Sequence, residues 1–71
     1  MITIYGKPKC KYCTKAKELL NRLQTPFKYI DISLDPEAKK FIIATGATTV
    51  PQIYNEEVLI GGFDDLEVYV K

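Results

Sequence analysis

The feature of this sequence that most limits its fold is the alternation of short β-rich runs with helical patterns. Runs typical of strands occupy residues 2–5, 27–32, 52–54 and 58–60. Helical patterns follow the first, second and fourth of these runs, which gives the order β-α-β-α-β-β-α. A helical crossover makes the first two strands parallel, and a hairpin turn at residues 55–57 makes the last two antiparallel. The alternation therefore predicts an α/β fold with a mixed sheet.

Each helical pattern carries an apolar stripe that should pack against the sheet. The stripes are Cys13, Ala16, Leu19, Leu20 and Leu23 in the first helix, Ala38, Phe41 and Ile42 in the second, and Leu66, Tyr69 and Val70 in the third. The first helix should end before Pro26, and the second should begin at an Asp35 N-cap and stop at Gly46. Asp64 or Asp65 is predicted to cap the third helix.

The length and composition of the chain are those of a single small domain. It has 71 residues, of which 46% are hydrophobic and 27% are charged, as in an ordinary globular protein. No apolar run approaches the roughly 18 residues of a membrane span, and we recognise no secretory leader. The net charge of +1 gives no field that would attract nucleic acid. We therefore expect one domain over residues 1–71, a cytoplasmic monomer with neither a membrane nor a nucleic-acid partner.

The charges are distributed unevenly along the chain. The cations around the two cysteines are Lys7, Lys9, Lys11, Lys15, Lys17 and Arg22. Glu18 is the only acid among them, whereas the last third of the chain is acidic. A solvated helix face explains part of this cluster. Positive charge beside a thiol also stabilises its thiolate.

The spacing of the only two cysteines, Cys10 and Cys13, is compatible with a disulfide staple, a metal site or a reactive pair. A closed zinc site needs four ligands, and the chain has no histidine. A zinc ion or cluster shared between two chains stays open. A disulfide here would close a very short loop, and the loss of loop entropy would stabilise the fold by only about 2 kcal/mol.

The reactive interpretation fits the surroundings of the cysteines better. Cys10 stands where a loop gives way to a helix, so free backbone N–H groups point towards its sulfur. Its neighbours Lys9 and Lys11 are cations, and both effects favour the thiolate. Cys13 lies one turn further on the apolar stripe and should be a buried thiol. We therefore interpret Cys10 as the nucleophile of thiol–disulfide exchange and Cys13 as its resolving partner.

Three segments, K-P-K-C-K-Y-C, T-T-V-P-Q-I and G-G-F-D-D-L, occur in the order and spacing typical of glutaredoxins. The chain resembles that family over essentially its full length. The resemblance implies a thioredoxin-like fold, a four-stranded mixed sheet flanked by helices. It implies an enzyme that reduces protein disulfides and glutathione mixed disulfides, with glutathione as reductant and no metal cofactor. Ribonucleotide reductase is the sort of protein substrate that the family implies.

The resemblance also assigns individual residues to a glutathione site. The matching positions are Lys7, Tyr12, Thr49, Val50, Pro51, Gly62, Phe63, Asp64 and Asp65, beside the catalytic Cys10 and Cys13. Lys7 would meet the glycine carboxylate of glutathione, and the backbone of Thr49 and Val50 would pair with its cysteine moiety. Pro51 matches a cis-proline that faces the nucleophile. Residues 62–65 would hold the γ-glutamyl end, with one of the two aspartates taking its ammonium group.

The sequence also departs from the pattern of the family. Lys11 replaces the usual proline between the cysteines, and Ala47 and Thr48 stand where many relatives have an arginine for the glycine carboxylate. Two alternatives therefore stay open. One is a redoxin of the same fold that is reduced by thioredoxin reductase, and the other is an iron–sulfur carrier in which Cys10 and glutathione from two subunits hold a cluster.

Overall fold

The computed structural model describes residues 1–71 and contains the seven predicted elements in the predicted order. In chain order they are β1 (Ile2–Gly6), α1 (Lys11–Arg22), β2 (Phe27–Asp31), α2 (Pro36–Ala44), β3 (Gln52–Asn55), β4 (Val58–Gly61) and α3 (Phe63–Tyr69). The predicted α/β fold class is confirmed. No helix combines the length and the apolar character needed to cross a bilayer.

The four strands form one mixed sheet in the order β2-β1-β3-β4. β1 and β2 are parallel because α1 crosses over between them, and β3 is antiparallel to both β1 and β4. The hairpin turn places Glu56 in the left-handed region, with φ of 55°. In this topology the end of β1, the start of β3 and the end of β4 lie at the same edge of the sheet. The loops that carry the three predicted motifs therefore meet there.

The sheet lies between two helical layers. The core between the sheet and the helices α1 and α3 consists of Ile2, Ile4, Ala16, Leu20, Ile53 and Leu66. The core beneath α2 on the opposite face consists of Ile32, Ala38, Ile42 and Tyr54. Alternation along the strands sends successive side chains into these two cores. The domain is thus a three-layer structure in which α1, with its cysteines, is fixed to the sheet through Ala16 and Leu20.

Three residues of the predicted apolar stripes are more exposed than expected. Tyr69 is 50% exposed, and its hydroxyl accepts a hydrogen bond from Asn55 Nδ2 at 2.6 Å at the surface. Leu23 is 46% exposed, because α1 ends at Arg22 and Leu23 forms its C-cap beyond the last turn. Phe41 is 43% exposed, because α2 is the only helix on its face of the sheet and nothing packs over its outer side. Its ring still contacts Tyr5 and Tyr54, with ring centroids 5.5 Å apart in each pair.

The predicted cap of the third helix is wrong. The N-cap of α3 is Gly62, one residue before Phe63, so both aspartates fall within the first turn. The carboxylate of Asp65 accepts a hydrogen bond from the backbone N–H of Gly62 at 3.2 Å and stabilises the start of the helix from inside. Asp64 is exposed and makes no hydrogen bond within the chain. Asp64 is therefore the aspartate that is free to meet a ligand.

Candidate active site

Cys10 lies at the N-cap of α1, where the loop after β1 turns into the helix. Its backbone is extended, with φ of −101° and ψ of 114°. The backbone N–H of Cys13 donates to Cys10 Sγ at 3.2 Å, and the N–H of Thr14 donates to the carbonyl oxygen of Cys10 at 3.1 Å. Sulfur thus takes the place that a serine or aspartate oxygen usually takes at a helix start. One N–H group of the first turn of α1, that of Cys13, points at the sulfur, in the direction that the sequence predicts.

The two cysteines form a disulfide in the structure, with their Cα atoms 5.2 Å apart. That separation lies within the normal range for a disulfide, so no movement of the backbone is needed to close the bond. Cys10 is partly exposed, whereas Cys13 is only 1% exposed. The predicted difference in burial is confirmed. An external thiol or disulfide can therefore reach Cys10 and not Cys13.

Gly6 and Tyr29 pack closely against Cys13. Gly6, the last residue of β1, is so close to Cys13 and Tyr29 that a Cβ added to it would lie 2.8 Å from Cys13 Sγ. The hydroxyl of Tyr29 donates to the carbonyl oxygen of Lys7 at 3.1 Å, and the ammonium of Lys17 lies 4.3 Å from the centre of its ring. Burial and, to a lesser degree, the charge of Asp31 raise the pKa of Tyr29 above its usual value, so this phenol stays a donor at neutral pH.

The loop before β3 faces the cysteine pair. The peptide bond between Val50 and Pro51 is cis, as the family resemblance implies for Pro51. Cys10 Sγ lies 3.9 Å from the carbonyl oxygen of Val50, and Pro51 is buried. In the disulfide form this sulfur carries no proton, so the approach is a van der Waals contact. The backbone of Val50 in this loop therefore lies beside the sulfur of Cys10.

One cleft brings together most of the residues assigned to glutathione. It has a volume of about 290 Å³ and is lined by Tyr12, Thr49, Val50, Pro51, Gly62, Phe63, Asp64 and Asp65. These residues come from α1, from the loop before β3 and from the start of α3. The rings of Tyr12 and Phe63 lie 6.0 Å apart and form one apolar wall. The structure therefore assembles the predicted site, while the role of each residue in binding stays a prediction.

Lys7 lies in an adjoining cleft of about 450 Å³. The two clefts share Thr49 and Val50, so they adjoin, and we call the two together the tripeptide groove. Lys39 of α2 lines the same cleft as Lys7, and the sequence analysis missed it. Nothing in the local pattern distinguishes Lys39 from other lysines on an exposed helix face. It supplies a second cation near Ala47 and Thr48, where the sequence suggested a missing one.

Comparison with known proteins gives the family of the chain. The sequence pattern of the glutaredoxin family matches residues 2–60. This chain belongs to the glutaredoxin family. A glutaredoxin of Vibrio cholerae is 36% identical, and the similarity covers 99% of this chain and 90% of that relative.

Two other similar proteins are a longer protein that contains a related segment and a protein of known structure. A hybrid peroxiredoxin of Haemophilus influenzae is 41% identical over 96% of this chain, which spans only 28% of that longer protein. The structure of the glutaredoxin-like NrdH-redoxin of Escherichia coli superposes with a TM-score of 0.85, at 25% identity, over 97% of this chain and 91% of that one. The predicted thioredoxin-like fold is confirmed.

The family and the geometry together establish the class of reaction. This glutaredoxin is a thiol–disulfide oxidoreductase whose redox centre is the pair Cys10 and Cys13. The exposed sulfur of Cys10 makes it the attacking atom in our interpretation, since exchange needs in-line access to a sulfur.

The charge of Lys11 is expected to increase the reactivity of Cys10 in the reduced protein. Lys11 begins α1 directly after Cys10. The change Lys11→Glu should lower the thiolate fraction of Cys10 and slow its alkylation by iodoacetamide near neutral pH. The effect is expected to be several-fold, since Lys11 is exposed and solvent screens its charge. Lys28→Glu on β2 is the matched control, and an unchanged alkylation–pH profile in Lys11→Glu would assign thiolate stabilisation to the helix terminus alone.

Proposed function

We propose that this glutaredoxin is reduced by glutathione, which binds in the tripeptide groove. One observation carries the proposal: the groove has opposite charges at its two ends, with the sulfur of Cys10 beside its middle. Lys7 and Lys39 line one end, and Asp64 lines the other. Val50, which belongs to both parts of the groove, lies next to Cys10 Sγ.

The chemistry of glutathione matches this distribution of charge. Its glycine end carries a carboxylate, and its γ-glutamyl end carries a carboxylate and an ammonium group. A carboxylate is attracted by two lysines, and an ammonium group is attracted by a free aspartate. The thiol lies between the two ends of the tripeptide, as Cys10 lies between the two ends of the groove. A peptide bound in this direction would place its sulfur against that of Cys10.

In the proposed reaction two thiol–disulfide exchanges reduce the substrate, and glutathione then restores the enzyme by two further exchanges. The Cys10 thiolate attacks a substrate disulfide, forms a mixed disulfide and releases one substrate thiolate. Cys13 or a glutathione thiolate then attacks the mixed disulfide and releases the second thiolate. Where Cys13 has reacted, one glutathione opens the Cys10–Cys13 disulfide to give glutathionyl-Cys10. A second glutathione releases glutathione disulfide and restores both thiols.

We propose protein disulfides and glutathione mixed disulfides as the substrates, and the cytoplasm as the compartment. A reduced glutathione pool keeps Cys10 and Cys13 as thiols there. Ribonucleotide reductase stays the client suggested by the family. The proposed form is a monomer, since one chain supplies both cysteines and the whole groove.

Removing charges at the ends of the groove should weaken the use of glutathione. Lys7→Ala, Lys39→Ala and Asp64→Asn each remove a partly exposed, charge-assisted contact, which contributes on the order of 1 kcal/mol. Each change should raise the KM for glutathione several-fold, the two lysine changes more than Asp64→Asn. The measurement is glutathione-coupled reduction of hydroxyethyl disulfide. Lys28→Ala serves as control, and alkylation of Cys10 should stay at the rate of the parent. If all three variants turn over glutathione like the parent, these charges are solvated surface and do not bind it.

A second reductant is favoured by one structural relative. The NrdH-redoxin of Escherichia coli is described as a glutaredoxin-like protein with a thioredoxin-like activity profile. The discriminating experiment starts from the disulfide form and follows the appearance of thiols with either glutathione or NADPH and thioredoxin reductase. Reduction by millimolar glutathione at the faster rate supports the proposal. Reduction by NADPH and thioredoxin reductase, without reduction by glutathione, would show that thioredoxin reductase is the reductant of this chain.

A further inference from the structure

We infer that this glutaredoxin prefers protein disulfides flanked by acidic residues, which it binds through a basic cleft beside Cys10. The basic cleft is a shallow, open depression of the surface, lined by Lys9, Cys10, Lys11, Thr14, Lys15 and Glu18. The inference rests on the proposal that protein disulfides are substrates, and it adds which of them this chain selects.

The lysines of the basic cleft form no salt bridge within the chain. The only salt bridge of the protein joins the N-terminal ammonium to Glu56, at the other end of the sheet. Lys15 lies over the ring of Tyr12, with 5.5 Å between its ammonium and the ring centroid, a contact that leaves its positive charge in place. The lining thus contains three lysines and one acid, Glu18. The cleft is a site of unbalanced positive charge at the redox centre.

The basic cleft and the tripeptide groove are separate surfaces. None of the residues that line the cleft lines either part of the groove. Cys10 itself lines the cleft and is partly exposed, so a polypeptide bound there lies beside the nucleophile. A mixed disulfide on Cys10 can therefore hold its protein half in the cleft while glutathione approaches along the groove. The protein substrate and glutathione would therefore bind at different surfaces.

The distribution of charge over the whole domain should also orient an acidic polypeptide as it approaches the basic cleft. Glu56 and Glu57 lie in the β3–β4 turn, opposite the edge that carries Cys10. An acidic polypeptide is repelled from that turn and attracted to the basic cleft. Such complementarity acts mainly on the rate of association and on the choice of partner. The expected partner is a polypeptide with aspartate or glutamate on either side of its disulfide.

The chemical step is the ordinary exchange. The Cys10 thiolate forms a bond to one sulfur of the client, and the other client sulfur leaves as a thiolate. Cys13 then loses its thiol proton to the released client thiolate, and its sulfur bonds to Cys10 Sγ and displaces the first client sulfur, also as a thiolate. The client gains two electrons, the cysteine pair is oxidised to the disulfide, and solvent protonates the thiolate released second.

The test compares two peptides that close the same disulfide loop, one flanked by aspartates and one by lysines. Protein previously reduced with dithiothreitol and freed of it is mixed with each peptide in a single turnover without glutathione. The acid-flanked peptide should react faster by roughly tenfold at low ionic strength. The advantage should shrink towards none as ionic strength rises from about 0.01 M to about 1 M.

The variant Lys15→Glu locates the effect, with Lys28→Glu as the matched change of charge on β2. The readout is the ratio of the two peptide rates, because a change in the reactivity of Cys10 alters both rates alike and cancels. Lys15→Glu should reduce the ratio several-fold, and Lys28→Glu should leave it close to that of the parent. Equal rates with both peptides at low ionic strength, or equal losses in the two variants, would overturn the inference. Glutathione is absent from this assay, so its outcome is independent of the proposed reductant.

Discussion

Replacing Cys10 by serine is expected to reduce every thiol–disulfide activity of this glutaredoxin to background. A serine hydroxyl is not ionised near neutral pH and does not attack a disulfide. Cys13, at 1% exposure, cannot take over the attack on an external substrate. The change Cys13→Ser should have a different result. It should retain the reduction of glutathione mixed disulfides, which needs one cysteine, and lose the dithiol reduction of protein disulfides. The measurement uses a glutathionylated peptide and a protein disulfide as parallel substrates.

Alkylation of the two reduced variants provides the control for this experiment. Iodoacetamide should label Cys10 in the Cys13→Ser protein rapidly and label Cys13 in the Cys10→Ser protein slowly, because only the first sulfur is accessible. Equal and complete loss of both activities in the two variants would contradict the assigned order of attack. Retained activity in Cys10→Ser would contradict it more directly.

The change Gly6→Ala is expected to destabilise the domain and disturb its redox centre together. The added methyl group would lie 2.8 Å from Cys13 Sγ and would overlap the hydroxyl of Tyr29. Tyr29 can yield only by giving up its hydrogen bond to Lys7, and the buried Cys13 has little room to move. Overpacking of this kind costs about 1–3 kcal/mol. That is a large share of the stability of a domain of this size. Urea denaturation and disulfide reduction assays measure the two effects.

A second glycine supplies the matched control. A methyl group on Gly62 would meet nothing closer than the carbonyl oxygen of Pro51, at 3.9 Å. The φ of Gly62 is −90°, which alanine adopts readily, so Gly62→Ala should change the free energy of unfolding little. Adding Tyr29→Phe to Gly6→Ala should recover part of the lost stability, because it removes the overlapping hydroxyl. Gly6→Ala with the stability and activity of the parent would show that Cys13 and Tyr29 leave room for a side chain at residue 6.

The order and type of the elements could be predicted because they depend on local patterns. The spacing of apolar residues distinguishes α1 from the strands around it, and Asp35, which accepts from the N–H of Ala38 at 3.0 Å, is the N-cap that its sequence context predicts. Burial was predicted less well, because it depends on what covers a side chain. Phe41 lies on the correct side of α2, but no further element shields it.

The candidate site likewise contains residues that local sequence predicted and residues that it did not. The roles of Cys10 and Cys13 follow from their position at a helix start, and the motifs gave most of the tripeptide groove. Lys39 and Tyr29 were missed as parts of the site. Each joins the site across a large sequence separation: Lys39 lines the same cleft as Lys7, and the hydroxyl of Tyr29 donates to the carbonyl oxygen of Lys7. The free aspartate also could not be chosen between Asp64 and Asp65, because the choice depends on the residue at which α3 begins.

The sequence by itself determined the elements, their order and the reactive cysteine pair, because hydrophobic period, capping and charge next to a thiol act between residues close along the chain. The tertiary structure decided which charges meet and which are left alone. It brought Lys39 of α2 into the same cleft as Lys7. It also left the lysines of the basic cleft without salt bridges. These outcomes depend on how the helices pack on the sheet, since packing alone sets the distances between residues far apart in the chain.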